Sequence, residues 1–124
     1  MAAENIKSVK KVARVSIGGR YFCVAEVTLG KKYKTEGQEF SAAQLNELGL
    51  PDGIVDAVLD ITAGTAAKNA KMAIVQANIT KPGEPGCVVK IQAYEAVTGE
   101  QHKELANESE AVKEAPLLCL FVGR

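Results

Sequence analysis

One hundred and twenty-four residues, 47% apolar and 24% charged, suffice for one domain whose core removes roughly two thirds of the unfolded surface from water. Fifteen acidic and fifteen basic side chains cancel, so no net field draws the chain onto nucleic acid or an anionic membrane. No apolar run approaches the roughly 18 residues of a membrane span, and MAAENIKSVKK is too polar for a signal peptide, which points to synthesis in a cytoplasm.

Residues 1–8 read as a flexible arm, since Ala2, Ala3, Glu4 and Asn5 offer little to bury. Lys7, Lys10 and Lys11 make this end mildly basic, fit either for solvent or for a partner surface. Residues 9–124 read as a single β domain. Ala13, Val15 and Ile17 alternate with Arg14 and Ser16, and Gly18-Gly19 then supplies the positive φ angles of a type I′ hairpin turn. The returning strand alternates strictly: Tyr21, Cys23, Ala25, Val27 and Leu29 on one face, Arg20, Phe22, Val24, Glu26 and Thr28 on the other.

The polar segment KKYKTEGQE turns at Gly37. Ser41 is placed to cap a short helix whose apolar stripe is Ala42, Leu45 and Leu48, and Gly49 is placed to stop it. After the Pro51-Asp52-Gly53 turn, Ile54–Thr62 predicts a strand with Val55, Ala57, Leu59 and Ile61 on one face, although its first residues also suit a helical turn. GTAAKNAK reads as a loop. Met72–Ile79 and Cys87–Tyr94 predict a hairpin around the turn signals in KPGEPG, with Val89, Ile91 and Ala93 on one face. Val97–Ala115 reads as a long surface loop, with Glu100–Ala106 as its one candidate helix. Leu117–Val122 is apolar throughout, which predicts a central strand buried on both faces. The sum is all-β and mainly antiparallel: a β-sandwich or partly closed barrel of about six strands with one short helix.

Chemistry is hard to find. Cys23, Cys87 and Cys119 each lie in an apolar run, an odd set without C-x-x-C spacing, and read as buried, inert thiols. His102 is the one histidine and sits in a polar loop. Asp56 and Asp60 flank Val58 on one strand and offer a carboxylate pair or a weak cation site, but solubility of a strand edge accounts for them as well. No phosphate-cradling glycine frame occurs. Asn78-Ile79-Thr80 and Asn107-Glu108-Ser109 match the glycosylation sequon without a secretory context. No catalytic, cofactor or metal site is therefore expected. One nucleic-acid reading stands beside this: Tyr33 among Lys31, Lys32 and Lys34, next to a strand bearing Tyr21 and Phe22, has the composition of a single-strand-binding barrel.

Three segments carry a resemblance. Tyr33-Lys34-Thr35-Glu36-Gly37, Leu48-Gly49-Leu50 leading into Ile54-Val55-Asp56-Ala57-Val58, and the closing Leu117–Arg124 run follow in the order found in tailed-bacteriophage capsid decoration (cement) proteins. The chain resembles that group over most of its length, departing where Glu36 stands in place of the first of two glycines. The resemblance implies a non-enzymatic virion protein, made in the host cytoplasm, that binds the capsid exterior and stabilises the shell. Its partner would be the major capsid protein, with self-association into a homo-oligomer, a trimer among the options, and no nucleic acid or membrane. Candidate contact residues are Lys7, Lys10, Lys11, Lys31, Lys32, Tyr33 and Lys34, with the loops Lys81–Gly86 and Val97–Ala115 as further candidates.

Overall fold

The structure, a computed structural model, describes residues 3–63, 74–95, 103–110 and 116–124. Two antiparallel sheets pack face to face. In the first, β1 (Ser8–Ile17), β2 (Arg20–Thr28), β8 (Pro116–Gly123) and β4 (Val55–Ala63) lie side by side in that order. In the second, β6 (Val88–Glu95) is central, with β5 (Ile74–Thr80) on one side and the two-residue strands β3 (Gln38–Glu39) and β7 (Lys103–Glu104) also paired to it. Neither sheet closes on itself, so the sandwich rather than the barrel is the architecture. No helix among the described residues is long and apolar enough to cross a membrane.

The alternation in the sequence becomes the core. Cys23, Ala25 and Val27 of β2, Leu117, Cys119 and Phe121 of β8, and Val89, Ile91 and Ala93 of β6 all point inward and are buried. Phe40 meets Phe121 edge to face, with ring centroids 5.8 Å apart, the geometry the ring quadrupoles favour. Gly18 and Gly19 turn β1 into β2 at φ 57° and 79°, the type I′ values expected from the pair. The helix α1 (Ala42–Glu47) carries a capping box: Ser41 Oγ accepts from the Gln44 N–H at 3.2 Å, and Gln44 Oε1 accepts from the Ser41 N–H at 2.9 Å. Leu45, Leu48 and Leu50 plug one end of the sandwich, while Ala42 faces solvent instead of joining them.

Two strands depart from their sequence reading. In β4 the pairing with β8 slips between Val55 and Ala57 and again between Val58 and Asp60. Each bulge reverses the alternation, so Val58 and Ile61 pack against the core and Leu59 is exposed. β8 is central, as predicted, but buried on one face only. Leu118 is 46% exposed, and no sheet among the described residues covers the outer side of its own.

The N-terminal arm is the clearest correction. Within residues 3–8, Glu4 N–H donates to the Lys32 carbonyl and Lys7 N–H to that of Thr28, both at 2.9 Å, and Ile6 is buried. Gln44 Nε2 holds the Ile6 carbonyl at 3.0 Å. Ile6 supplies the apolar anchor that the polar composition of this stretch conceals. The segment lies so close over Gly30 that a Cβ there would collide with the Asn5 carbonyl oxygen and approach Glu4 Cβ to 2.8 Å. Gly30→Ala is therefore expected to eject residues 3–7 while the sandwich stays folded, at a cost of about 1–3 kcal/mol. Loss of hydrogen-exchange protection at the Ile6 and Lys7 amides would register it; unchanged protection would refute the close approach.

The GTAAKNAK loop, His102, and residues 97–102 and 111–115 of the predicted long loop lie outside the described residues.

Candidate functional site

The predicted contact residues gather chiefly where three segments meet at one end of the sandwich: residues 3–7, the loop 30–39, and residues 103–110. Gln38, wholly buried, stitches the loop. Its Oε1 accepts from the Gly30 N–H at 2.7 Å, and its Nε2 donates to the carbonyls of Gly30 and Lys32 at 3.2 and 3.3 Å. A buried amide with its polar atoms partnered favours one loop geometry over others.

Tyr33 is the centre of this end, and its position overturns its place among the contact residues. Its side chain is 0% exposed. The hydroxyl donates to Glu104 Oε2 at 2.5 Å and accepts from the Ala93 N–H at 3.1 Å. Its main chain is clasped too, the N–H donating to the Ser109 carbonyl at 2.8 Å and the carbonyl accepting from the Glu108 N–H at 2.6 Å. Burial, then the bond to Glu104, holds the phenol well above its ordinary pKa, so it is a neutral donor. Glu104 Oε2 also accepts from the Glu36 N–H at 2.9 Å, and Asn107 Oδ1 from the Thr35 N–H at 3.1 Å. The YKTEG segment is thus locked to residues 104–109, which sequence reading had assigned to an open surface loop. Glu36 adopts φ 75°, the left-handed conformation a glycine would take without strain. A tyrosine sealed this way has no face for a nucleobase to stack on.

The lysines have distinct settings. Lys31 Nζ lies 3.7 Å from Glu110 Oε1, both about half exposed, a pair worth at most about 1 kcal/mol. Lys32 N–H donates to Glu4 Oε2 at 3.0 Å. Lys34 is exposed, its carbonyl accepting from the Gly37 N–H. Lys7 sits at the start of the same platform. Lys10 and Lys11 do not join it. Lys10 stands opposite Glu26 on the outer face of the first sheet, whereas the Lys11 stem runs on the inner side over Gly49. With Glu4, Glu36, Glu39, Glu108 and Glu110 interleaved, the platform is a mixed-charge surface and not a basic stripe.

The remaining polar candidates separate. Arg20 Nε pairs with Asp56 Oδ2 at 2.7 Å, while Asp60 Oδ2 accepts from the Thr62 hydroxyl at 3.4 Å, so the two aspartates have different partners. Among the described residues no three of His, Cys, Asp and Glu cluster as a metal site would require. All three thiols are unbonded to one another and buried. Burial pushes the Cys119 thiol up to about 12, with the Asp60 charge adding to it, and it raises Cys23 against the opposing pull of Arg14 and Lys11. Neither is a nucleophile at neutral pH.

An open cleft of about 330 Å³ lies between α1, the Pro51–Gly53 turn and the start of β6, lined by Phe40, Leu45 and Cys87 with Glu39 and Asp52 at its edge. It is assembled from three separated segments, which is why no motif announces it. Comparison with known proteins finds no matching family model, no matching curated protein and no matching solved structure.

Proposed function

We propose that this chain is a non-enzymatic structural protein of a virion that adheres to the outer surface of a bacteriophage capsid and stabilises the shell. The observation that carries the reading is the lock around Tyr33. The YKTEG segment, on which the resemblance to decoration proteins rests, is held with residues 3–7 and 104–109 in one rigid platform. Adhesion by a preformed surface loses little conformational entropy on binding. Lys7, Lys31, Lys32 and Lys34 are displayed on that platform among carboxylates, a pattern suited to a mixed-charge protein surface. Binding to the assembled lattice in preference to its free subunits then stabilises the shell by mass action. Tyr33 serves from within, by fixing the loop that carries the lysines.

The test is co-sedimentation with empty shells built from the capsid protein of the same genome. Saturation at a fixed, symmetry-related number of copies is expected. Charge reversal at Lys31, Lys32 and Lys34 together is expected to weaken binding about 10-fold or more, corresponding to roughly 1.4 kcal/mol. Absence of binding to mature shells would retire the reading.

A further inference from the structure

The two outer faces of the sandwich differ in kind. On the second sheet Gln76, Asn78, Lys90, Gln92 and Tyr94 face outward, and Gln76 Nε2 bonds to Gln92 Oε1 at 2.9 Å. That face is finished for water. On the first sheet the pairing register aligns Val15, Phe22, Val122 and Ala57 in one row across all four strands, and Ala13, Val24 and Leu120 in the next, where the β4 position is Asp60. Ile17 extends the band at one end on β1, and Leu118 at the other end on β8, between Glu26 and Thr62. Val15, Ile17 and Leu118 are 53%, 59% and 46% exposed. Single exposed apolar residues are commonplace; a continuous band across a sheet is the signature of an interface.

We propose that this face is where two copies of the chain pair, sheet against sheet. Size is the first argument. Four strands about 4.8 Å apart and about eight residues long give roughly 500 Å² in plan per copy, so two copies meet the ~1,000 Å² a specific interface requires. Charge is the second. The band ends at Lys10 opposite Glu26 on one side, and at Arg20 bonded to Asp56 on the other. Each end carries one cation and one anion, so neither end sets a single sign of charge against itself when two copies meet in an isologous interface. The chain's fifteen acidic and fifteen basic residues leave no net repulsion between copies. Two such faces stack about 10 Å apart with strands roughly 30° askew, and the side chains of both bands form a second core. The pairing goes beyond adhesion to a shell and does not depend on it.

Sedimentation equilibrium of the full chain without shells, over roughly 1–100 μM, covers the weak end of affinities found for interfaces of this size. The mass is expected to rise from 13.1 kDa to twice that value. Val15→Lys and Leu118→Lys alter residues already open to solvent in one copy, so the fold survives, and each is expected to weaken pairing at least about 10-fold. Gln76→Lys, on the polar face, is expected to leave it unchanged. A monomer at all concentrations, a trimer, or a dimer indifferent to both lysine variants overturns the proposal. A monomer whose Val15→Lys variant loses shell binding also overturns it and gives the face to the shell subunit. A dimer that ignores shells retires only the adhesion reading.

Discussion

Truncation of Phe121 to alanine is expected to destabilise the fold by about 3–5 kcal/mol, the range for removing a buried aromatic ring. Phe121 is wholly buried on the central strand of its sheet, opposite Cys23 on β2 and Val58 on β4. Its ring stacks edge-on against Phe40, which leads from β3 into the capped helix. One side chain therefore joins three strands of one sheet to the segment that closes the end of the sandwich. Its loss leaves a cavity that backbone pairing on both sides prevents from collapsing. Urea denaturation should show the midpoint falling with little change in slope, and the melting temperature should drop by roughly 10–20 °C. Leu120→Ala, one position along and outward-facing, is the control expected to cost far less. Similar losses for the two variants would mean that the inward and outward faces have been misassigned.

Tyr33→Phe is the second large effect, unusual for the deletion of one oxygen. The hydroxyl satisfies the Glu104 carboxylate and the Ala93 N–H simultaneously. Its removal strands the buried Ala93 N–H, at about 1–3 kcal/mol, and takes from Glu104 Oε2 one of its two donors while the Glu36 N–H remains. Tyr33→Ala adds the loss of the ring and is expected to exceed 4 kcal/mol, roughly the cost of the phenylalanine change plus a cavity. Exchange protection at Leu105, whose amide donates to the Ala93 carbonyl at 3.0 Å, should fall first as residues 103–110 come away. The phenol also sets an alkaline limit. Its pKa is raised in the folded state, so the associated stability is complete below the unfolded tyrosine pKa of about 10 and declines as pH rises above it. Tyr33→Phe should abolish that alkaline decline. A variant as stable as the parent at neutral pH, with the decline intact, would show that the lock contributes nothing.

How legible the molecule was depends on how local each signal is. Gly18-Gly19, the Ser41 cap, and the alternation in β2 and β6 act over a few residues, and each appears in the structure where the sequence placed it. The bulges in β4 were invisible because its residues alternate acceptably in either register. The arm misled because six polar or small residues outweighed Ile6, whose main chain is held by Glu39 and Gln44, more than thirty positions away. Tyr33 looked like a surface aromatic among lysines, and only Glu104 and Ala93, some sixty to seventy residues downstream, reveal it as core. β3 and β7, two residues each, are too short for any periodicity. The apolar outer face was present in the sequence as Phe22, Val24, Leu120 and Val122. Leu120 and Val122 read as buried because a single chain's core and an interface between copies have the same composition, while Phe22 and Val24 share their face with Arg20, Glu26 and Thr28.

The strand order also governs how the chain must fold. β8 lies between β2 and β4, so 87 residues separate the end of the β2 strand at Thr28 from its partner Pro116 at the start of β8, with i−j of 88. The first sheet cannot assemble from its early strands, and the β1–β2 hairpin must wait with apolar side chains on both faces. Such non-local closure places folding among the slow, millisecond-to-second sandwiches. In that interval the waiting hairpin is the segment most exposed to mispairing with another nascent copy.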